Sequence, residues 1–338
     1  MDKNKIKLTS SEIGTLWGEY VNGTMTDVVN RYMFSIIEDE SIKAVFEDAI
    51  KTFANQKKQI VAFIVAFIEN EGFPVPIGFT ESDLNNGTKR LFTDIFCLNY
   101  LHIMTLHGLL GHTTSLGVSV REDLRHFYDT CDNDAKRMYH QTIELLLEKG
   151  EFQRDPYFYP ATNPEYISSQ DFTDGFFGKG RRLTALEIIS ISFNLKKSIM
   201  AKTLSIGFSQ VSQSKEVRKF LEDSEKTADE QIQAFSKIMH ADNLPVPKSW
   251  ETEVTTSTDA PFSDKLMMYH IGFLFQAAQA YHGTGLASAM RTDLVAAYEG
   301  VILKNLMVTK KWFNIMVKNK WLEQPPLAPN RKEIAKEK

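Results

Sequence analysis

One stretch of this sequence occurs twice, and the recurrence limits what the chain can fold into. Gly111-His112-Thr-Thr-Ser-Leu-Gly117-Val-Ser-Val-Arg121-Glu-Asp123-Leu124 returns as Tyr281-His282-Gly-Thr-Gly-Leu-Ala-Ser-Ala-Met-Arg291-Thr-Asp293-Leu294. His282, Arg291 and Asp293 each follow His112, Arg121 and Asp123 by 170 residues, and Tyr298 follows Tyr128 by the same distance. A chain of 338 residues whose landmarks repeat at half its length is a tandem duplication. Each half is long enough to bury a core of its own. The expected organisation is a first unit over 1–155, an ordered linker over 156–182, a second unit over 183–328 and a charged tail over 329–338.

Each unit reads as four helices. Thr9 and Thr184 stand three residues before Glu12 and Glu187, the spacing at which a helix N-cap and its third residue satisfy each other's backbone N–H groups. First helices are expected over 9–37 and 183–209, and second helices over 41–70 and 215–240. Phe46, Ala49, Ile50, Phe53 and Ile60 recur at helical spacing and give the second helix one apolar face. Gly72 and Asn243 suit a left-handed C-cap, and Pro74 and Pro245 prevent continuation. The loops 77–88 and 248–261 are long for helix connections and fit a crossover between parallel neighbours. Third helices over 89–117 and 262–289 are the most apolar. The fourth helices run to about Lys149 and Lys320, the first starting from a capping box of Ser119 and Glu122. The linker is apolar, so it is expected to pack on the bundles and fix their relative position.

The net charge of −4 gives no electrostatic reason to expect nucleic acid or an anionic membrane as partner. Two cysteines, Cys97 and Cys131, make no disulfide framework and fit a reducing compartment. Cys97 lies in an apolar helical run and reads as a buried thiol. The N-terminus lacks the apolar core of a signal peptide, and the longest apolar run, 60–68, is too short to span a bilayer. The expectation is a soluble cytoplasmic protein with no membrane insertion.

Longer motifs carry a resemblance: Pro76-Ile-Gly-Phe-Thr-Glu-Ser-Asp83, Leu91-Phe-Thr-Asp94, Gly207-Phe-Ser-Gln-Val211, Pro261-Phe-Ser-Asp-Lys-Leu-Met-Met268, both Arg-x-Asp-Leu copies and Trp321-Leu-Glu-Gln-Pro-Pro326. On these the chain resembles, over nearly its whole length, an uncharacterised family from spore-forming bacteria. Its members are tandem four-helix bundles of ferritin-like topology, distantly similar to ferritin-like spore coat proteins. The resemblance implies an all-α fold built as a tandem duplication of a ferritin-like four-helix bundle, and an association with spores. It implies no activity. The chain departs from the pattern where Lys149-Gly-Glu-Phe152 stands against the fuller ending at Trp321.

Ferritin-like oxidases take one Glu from each of two helices and a Glu-x-x-His from each of the others. The sequence contains no Glu-x-x-His. The nearest pattern, Asp123-x-x-His126, becomes Asp293-x-x-Ala296 in the second copy. Neither a metal nor another cofactor is therefore expected. Asp123, His126, Glu12 and Glu187 remain weak metal candidates, and capping explains the two glutamates without metal. His102, His107 and His112 lie five apart, so successive side chains diverge by roughly 140° and share no ligand face.

The recurring His112, Arg121, Asp123 and Tyr128, with His282, Arg291, Asp293 and Tyr298, admit two readings. One is a polar ligand site at the helix three–four junction of each unit. The other is a hydrogen-bonded stitch across that junction, favoured because buried polar groups must be paired whatever their role. The leading functional expectation is a non-enzymatic structural or interaction protein, tied to sporulation by the resemblance alone. It would act through an unknown protein partner or by self-association as a homodimer. The alternative is a module for a small apolar ligand or a divergent metal at that junction.

Overall fold

The computed structural model describes residues 6–63, 74–159, 163–175 and 180–336. The first half contains α1 (Ser10–Ile36), α2 (described over Glu40–Phe63), α3 (Asp94–Val118) and α4 (Glu122–Glu148). The second contains α5 (Ala185–Val211), α6 (Lys215–Ala241), α7 (Asp264–Ser288) and α8 (Thr292–Lys318), with a short α9 (Arg331–Ile334) after it. The fold is all-α, a tandem pair of four-helix units. No named strand occurs among the described residues. The expected helix end near Asn70 and the expected caps at Gly72 lie outside the described residues, as does Gly178 of the linker.

Local signals set the helix ends. Thr9 and Thr184 cap α1 and α5 in full capping boxes with Glu12 and Glu187. Asn243, with φ of +59°, closes α6 in the left-handed conformation. Gly150 and Lys320 close α4 and α8 at φ of +69° and +58°. One expected cap is corrected. Ser119 does not cap α4; it is the C-cap of α3, and its hydroxyl donates to the Ser115 carbonyl. Helix α4 begins at Arg121 with no side-chain cap of its own. The Glu12 carboxylate reaches across from α1 and accepts from the Val120 and Arg121 N–H groups, both at 2.9 Å. An acceptor from a neighbouring helix has taken over the cap.

The same contacts fix the topology. Glu12 at the start of α1 meets the end of α3, so those helices run antiparallel. Asp94 at the start of α3 accepts from the Asp39 N–H beside the start of α2 at 2.8 Å, so α2 and α3 run parallel. Lys149 at the end of α4 pairs with Asp39 at 2.6 Å. The chain must therefore cross the length of the bundle between α2 and α3, the single crossover of ferritin-like connectivity.

The two crossover loops pair with each other. Asn85 N–H donates to the Pro261 carbonyl at 2.8 Å, and Thr255 N–H to Leu91 at 2.9 Å. Thr93 N–H donates to Glu253 at 3.0 Å, and Ser263 N–H to Asp83 at 3.1 Å. Each bond has its counterpart 170 residues away, as do the bridges Leu84–Phe262 and Phe92–Val254. The halves are thus related by a pseudo-two-fold axis, an isologous dimer within one chain. Tyr100 and His270, equivalent positions, meet on it at 3.2 Å. One apolar cluster runs through both halves there, with Phe92, Phe96, Phe208 and Phe262 all at most 1% exposed. Such side chains each stabilise the fold by about 1.5–3 kcal/mol over exposure. This core fixes the halves. The linker instead leaves Tyr157, Tyr159 and Tyr166 at 78%, 91% and 99% exposure.

Candidate functional site

At the helix three–four junction the arginines and carboxylates come together in both halves. Arg121 grips Asp123 through Nε and Nη2 at 3.1 and 2.7 Å and donates Nη1 to the Ile6 carbonyl. Arg291 grips Asp293 at 3.0 and 2.6 Å and donates Nη1 to the Arg181 carbonyl and to Asp242. Glu187 accepts from Met290 and Arg291 N–H groups as Glu12 does, and Arg181 binds both its oxygens. Burial raises the Glu187 pKa, but these donors outweigh it and hold the carboxyl at about 2. Glu12 is likewise held low against its burial. Every strong donor and acceptor here is spent on a neighbour, so the junction offers little to a ligand.

The histidines and tyrosines lie apart from it. His126 is exposed on α4. Tyr128 and Tyr298 are fully buried, with Thr15 and Ser115 beside the first hydroxyl and Asn194 beside the second. His282 faces Asn305 at 3.3 Å in a filled core, and burial lowers its pKa to about 4. His112 differs. Its Nε2 pairs with Glu19 of α1 at 3.2 Å. Burial lowers its pKa, but Glu19 and Asp132 outweigh that and the net shift is upward. Its Nδ1 has no hydrogen-bond partner of good geometry among the described residues, although the Cys131 backbone lies beside the ring.

His112 and Glu19 line a pocket of about 130 Å³ in the first bundle, with the exposed Gly111 on its wall. Its space comes from Gly23, Gly108, Gly111 and Ala135. The second half has Ser198, Ala278, Tyr281 and Asn305 at those positions. There Ser198 bonds Gln231, Gln231 bonds Asn305 and Asn305 meets His282, so polar side chains fill the equivalent space. A cleft of about 400 Å³ lies between the halves, walled by Trp17, Trp312 and Trp321. Asn22 and Phe273 line both the cleft and the inner chamber. On the chamber's other wall His107 is held by the Tyr281 hydroxyl at 2.9 Å and by Lys197 at 3.1 Å. Burial pushes the pKa of both His107 and Lys197 well down.

Among the described residues no three His, Cys, Asp or Glu side chains gather as a metal-binding group. The donors a ferritin-like centre would use are engaged elsewhere: Glu12 and Glu187 in caps, Asp123 on Arg121. The residues present do not fit a dimetal centre. Both cysteines are buried and unpaired, and burial pushes their thiols up. Glu19 escaped the sequence reading because its counterpart is Asn194. The available signal was its position seven residues after Glu12, on the same helix face.

A sequence model of the family described as "Protein of unknown function (DUF3231)" matches residues 1–163 and again residues 171–334. No curated protein matches the chain. Among solved structures, the chain is similar to a Bacillus halodurans C-125 protein described as a "putative spore coat protein". The likeness covers 44% of this chain and 98% of that one, at a TM-score of 0.41 and 11% identity. No helix among the described residues is long and apolar enough to cross a membrane. The chain belongs to the DUF3231 family and contains two copies of its unit.

Proposed function

We propose that this protein binds a small molecule in the interior of its first bundle. One observation carries the reading: the duplicated halves differ at the same place, hollow in one and filled in the other. A pocket of about 130 Å³ costs the packing contacts that its apolar walls forgo. The second half avoids that cost with Tyr281 and Asn305, so the fold itself does not require the space. Xenon pressure on crystals of the full chain tests it. Xenon is expected beside Met104 and Met138 in the first bundle and absent from the second. A first bundle that takes up none is collapsed, and the reading fails.

A second reading, an interaction protein, is favoured by α8. Leu303, Leu306, Met307, Phe313 and Val317 stand 49–66% exposed along one stripe. The matching α4 positions include Asn133, Lys136 and Arg137. Such a stripe suits self-association, and sedimentation over a concentration series tests it. A monomer throughout removes this reading. The family resemblance extends the proposal to sporulation, which a time course of abundance in a sporulating culture tests; a constant level removes that clause.

A further inference from the structure

We propose that the chamber of the first bundle takes an uncharged, phenol-sized ring compound bearing one oxygen, held by a hydrogen bond with His112 Nδ1. This rests on the small-molecule reading above and names its ligand class.

Size comes first. An engineered apolar protein cavity of about 150 Å³ accepts benzene. The chamber, at about 130 Å³, suits a single six-membered ring. Its walls are mostly apolar, with Phe53, Leu101, Met104, Met138 and Phe273 among them. A ring therefore gains by leaving water.

The polar atoms on the wall are mostly spent. The Thr105 hydroxyl donates to the His102 carbonyl at 2.6 Å. Asn22 Oδ1 accepts from the Tyr269 hydroxyl at 3.0 Å, and His107 is held by Tyr281 and Lys197. His112 is 7% exposed, its Nε2 is held by Glu19, and its Nδ1, beside the Cys131 backbone, makes no hydrogen bond of good geometry. Gly108 lies against that edge of the ring: a Cβ there would come within 3.5 Å of His112 Cε1 and 3.9 Å of Nδ1. The absent side chain leaves room for a ligand atom beside Nδ1. With Nε2–H directed at a carboxylate, Nδ1 is the ring nitrogen left to meet a ligand, and a hydroxyl oxygen pairs with it either as acceptor or through its proton.

Charge excludes the remaining classes. Glu19 is already paired with His112, and Asp132, on the α4 side of the ring, is paired with Lys136. An anionic ligand would bring a further negative charge near Glu19, and no Lys or Arg is among the described residues that line the chamber to meet it. A cationic ligand would face His112 itself. Burying an unpaired charge costs far more than one hydrogen bond returns. A neutral oxygen avoids both costs.

The experiment titrates the full-length protein with phenol, benzene and benzoate, following side-chain methyl shifts by NMR. It is repeated on Ala135→Leu and Gly111→Leu, either of which fills the chamber. A Cβ at Gly111 meets nothing within 4 Å, which guards against a folding failure at Ala135. Phenol is expected to bind once per chain, benzene at least about tenfold more weakly and benzoate not measurably. Both filled variants are expected to keep the native melting transition and lose phenol binding. Benzene or benzoate binding as tightly as phenol overturns the ligand class and leaves the chamber as a binding site. Phenol binding that survives both substitutions places the ligand elsewhere and overturns the proposal. Failure of all three probes to bind a protein that still admits xenon overturns the ligand class alone; failure of xenon as well overturns the small-molecule reading.

Discussion

Single residues in this chain carry several duties, and Glu187 is the strongest case. Its two oxygens serve the Thr184 N–H, the Met290 and Arg291 N–H groups and the Arg181 guanidinium. Glu187→Ala strands one buried and two part-buried N–H groups and one arginine, so it should cost about 2–4 kcal/mol in chemical denaturation. A cost below about 1 kcal/mol would show that water replaces the carboxylate. The pKa of about 2 sets the pH window. A carboxyl held below its unfolded value of about 4.5 stabilises the fold above that pH, and the contribution is lost as pH falls towards 2. The buried histidines act in an adjoining window. Burial lowers His102 and His282 to about 4 and His270 to about 3. Below about pH 6.5 the unfolded chain takes up protons that the fold refuses. Stability should then fall by roughly 1 kcal/mol per pH unit for each histidine until its folded pKa is reached. His112 has the opposite sign, because its raised pKa gives stability that is lost as pH climbs through it. Urea midpoints from pH 7 to pH 4 measure the net. A flat profile would mean that these histidines are not buried in neutral form.

At the scale of the element, the helix ends test how much a sequence declares locally. Gly150 and Lys320 occupy equivalent left-handed positions after α4 and α8. A side chain with a Cβ pays about 1 kcal/mol there that glycine does not. Lys320→Gly is therefore expected to raise stability by about 0.5–1 kcal/mol, read as a higher melting temperature, while Gly150→Lys lowers it by a similar amount. No gain at Lys320 would mean that its aliphatic stem contributes packing of its own. The capping boxes of Thr9 and Thr184 were legible because every partner lies within one turn. The start of α4 was not, because its cap is Glu12, more than a hundred residues away in sequence. The same limit governed the candidate site. Searching for recurrence finds what the halves share, which is the Arg–Asp–Glu stitch that any such bundle needs at its junction. It passes over what the halves do not share: Glu19 against Asn194, Gly111 against Tyr281, Ala135 against Asn305. The chamber is written in those differences, and only the packing of four helices shows that they meet at one point.

At the scale of the molecule, the halves are not two independent bundles joined by a linker. Leu91, Phe92, Phe96 and Tyr100 of the first half are all fully buried, and the core that buries them continues into the second. Separating the halves would expose that surface and strand the backbone groups that pair the crossover loops. A half produced alone should therefore seek a partner, and the axis decides which. In the native pairing Tyr100 meets His270, a hydroxyl against a ring nitrogen. Two first halves would set Tyr100 against Tyr100, and two second halves would set His270 against His270. Neither like pair inherits the register in which the native contacts interlock, such as Tyr32 edge-on to Phe262 at 5.0 Å, with Gly207 making room for Phe92 on the symmetric side. In a pair of first halves Tyr32 would face Phe92 twice, and in a pair of second halves Gly207 would face Phe262 twice, leaving voids. Fragments spanning 1–155 and 183–338, refolded together, are expected to form a one-to-one complex in preference to either homodimer. Native mass spectrometry of the mixture counts the species directly. Two stable monomers that ignore each other would refute the shared core. A statistical mixture of the three dimers would mean that the axis residues contribute no specificity, and that the linker alone keeps the unlike halves together.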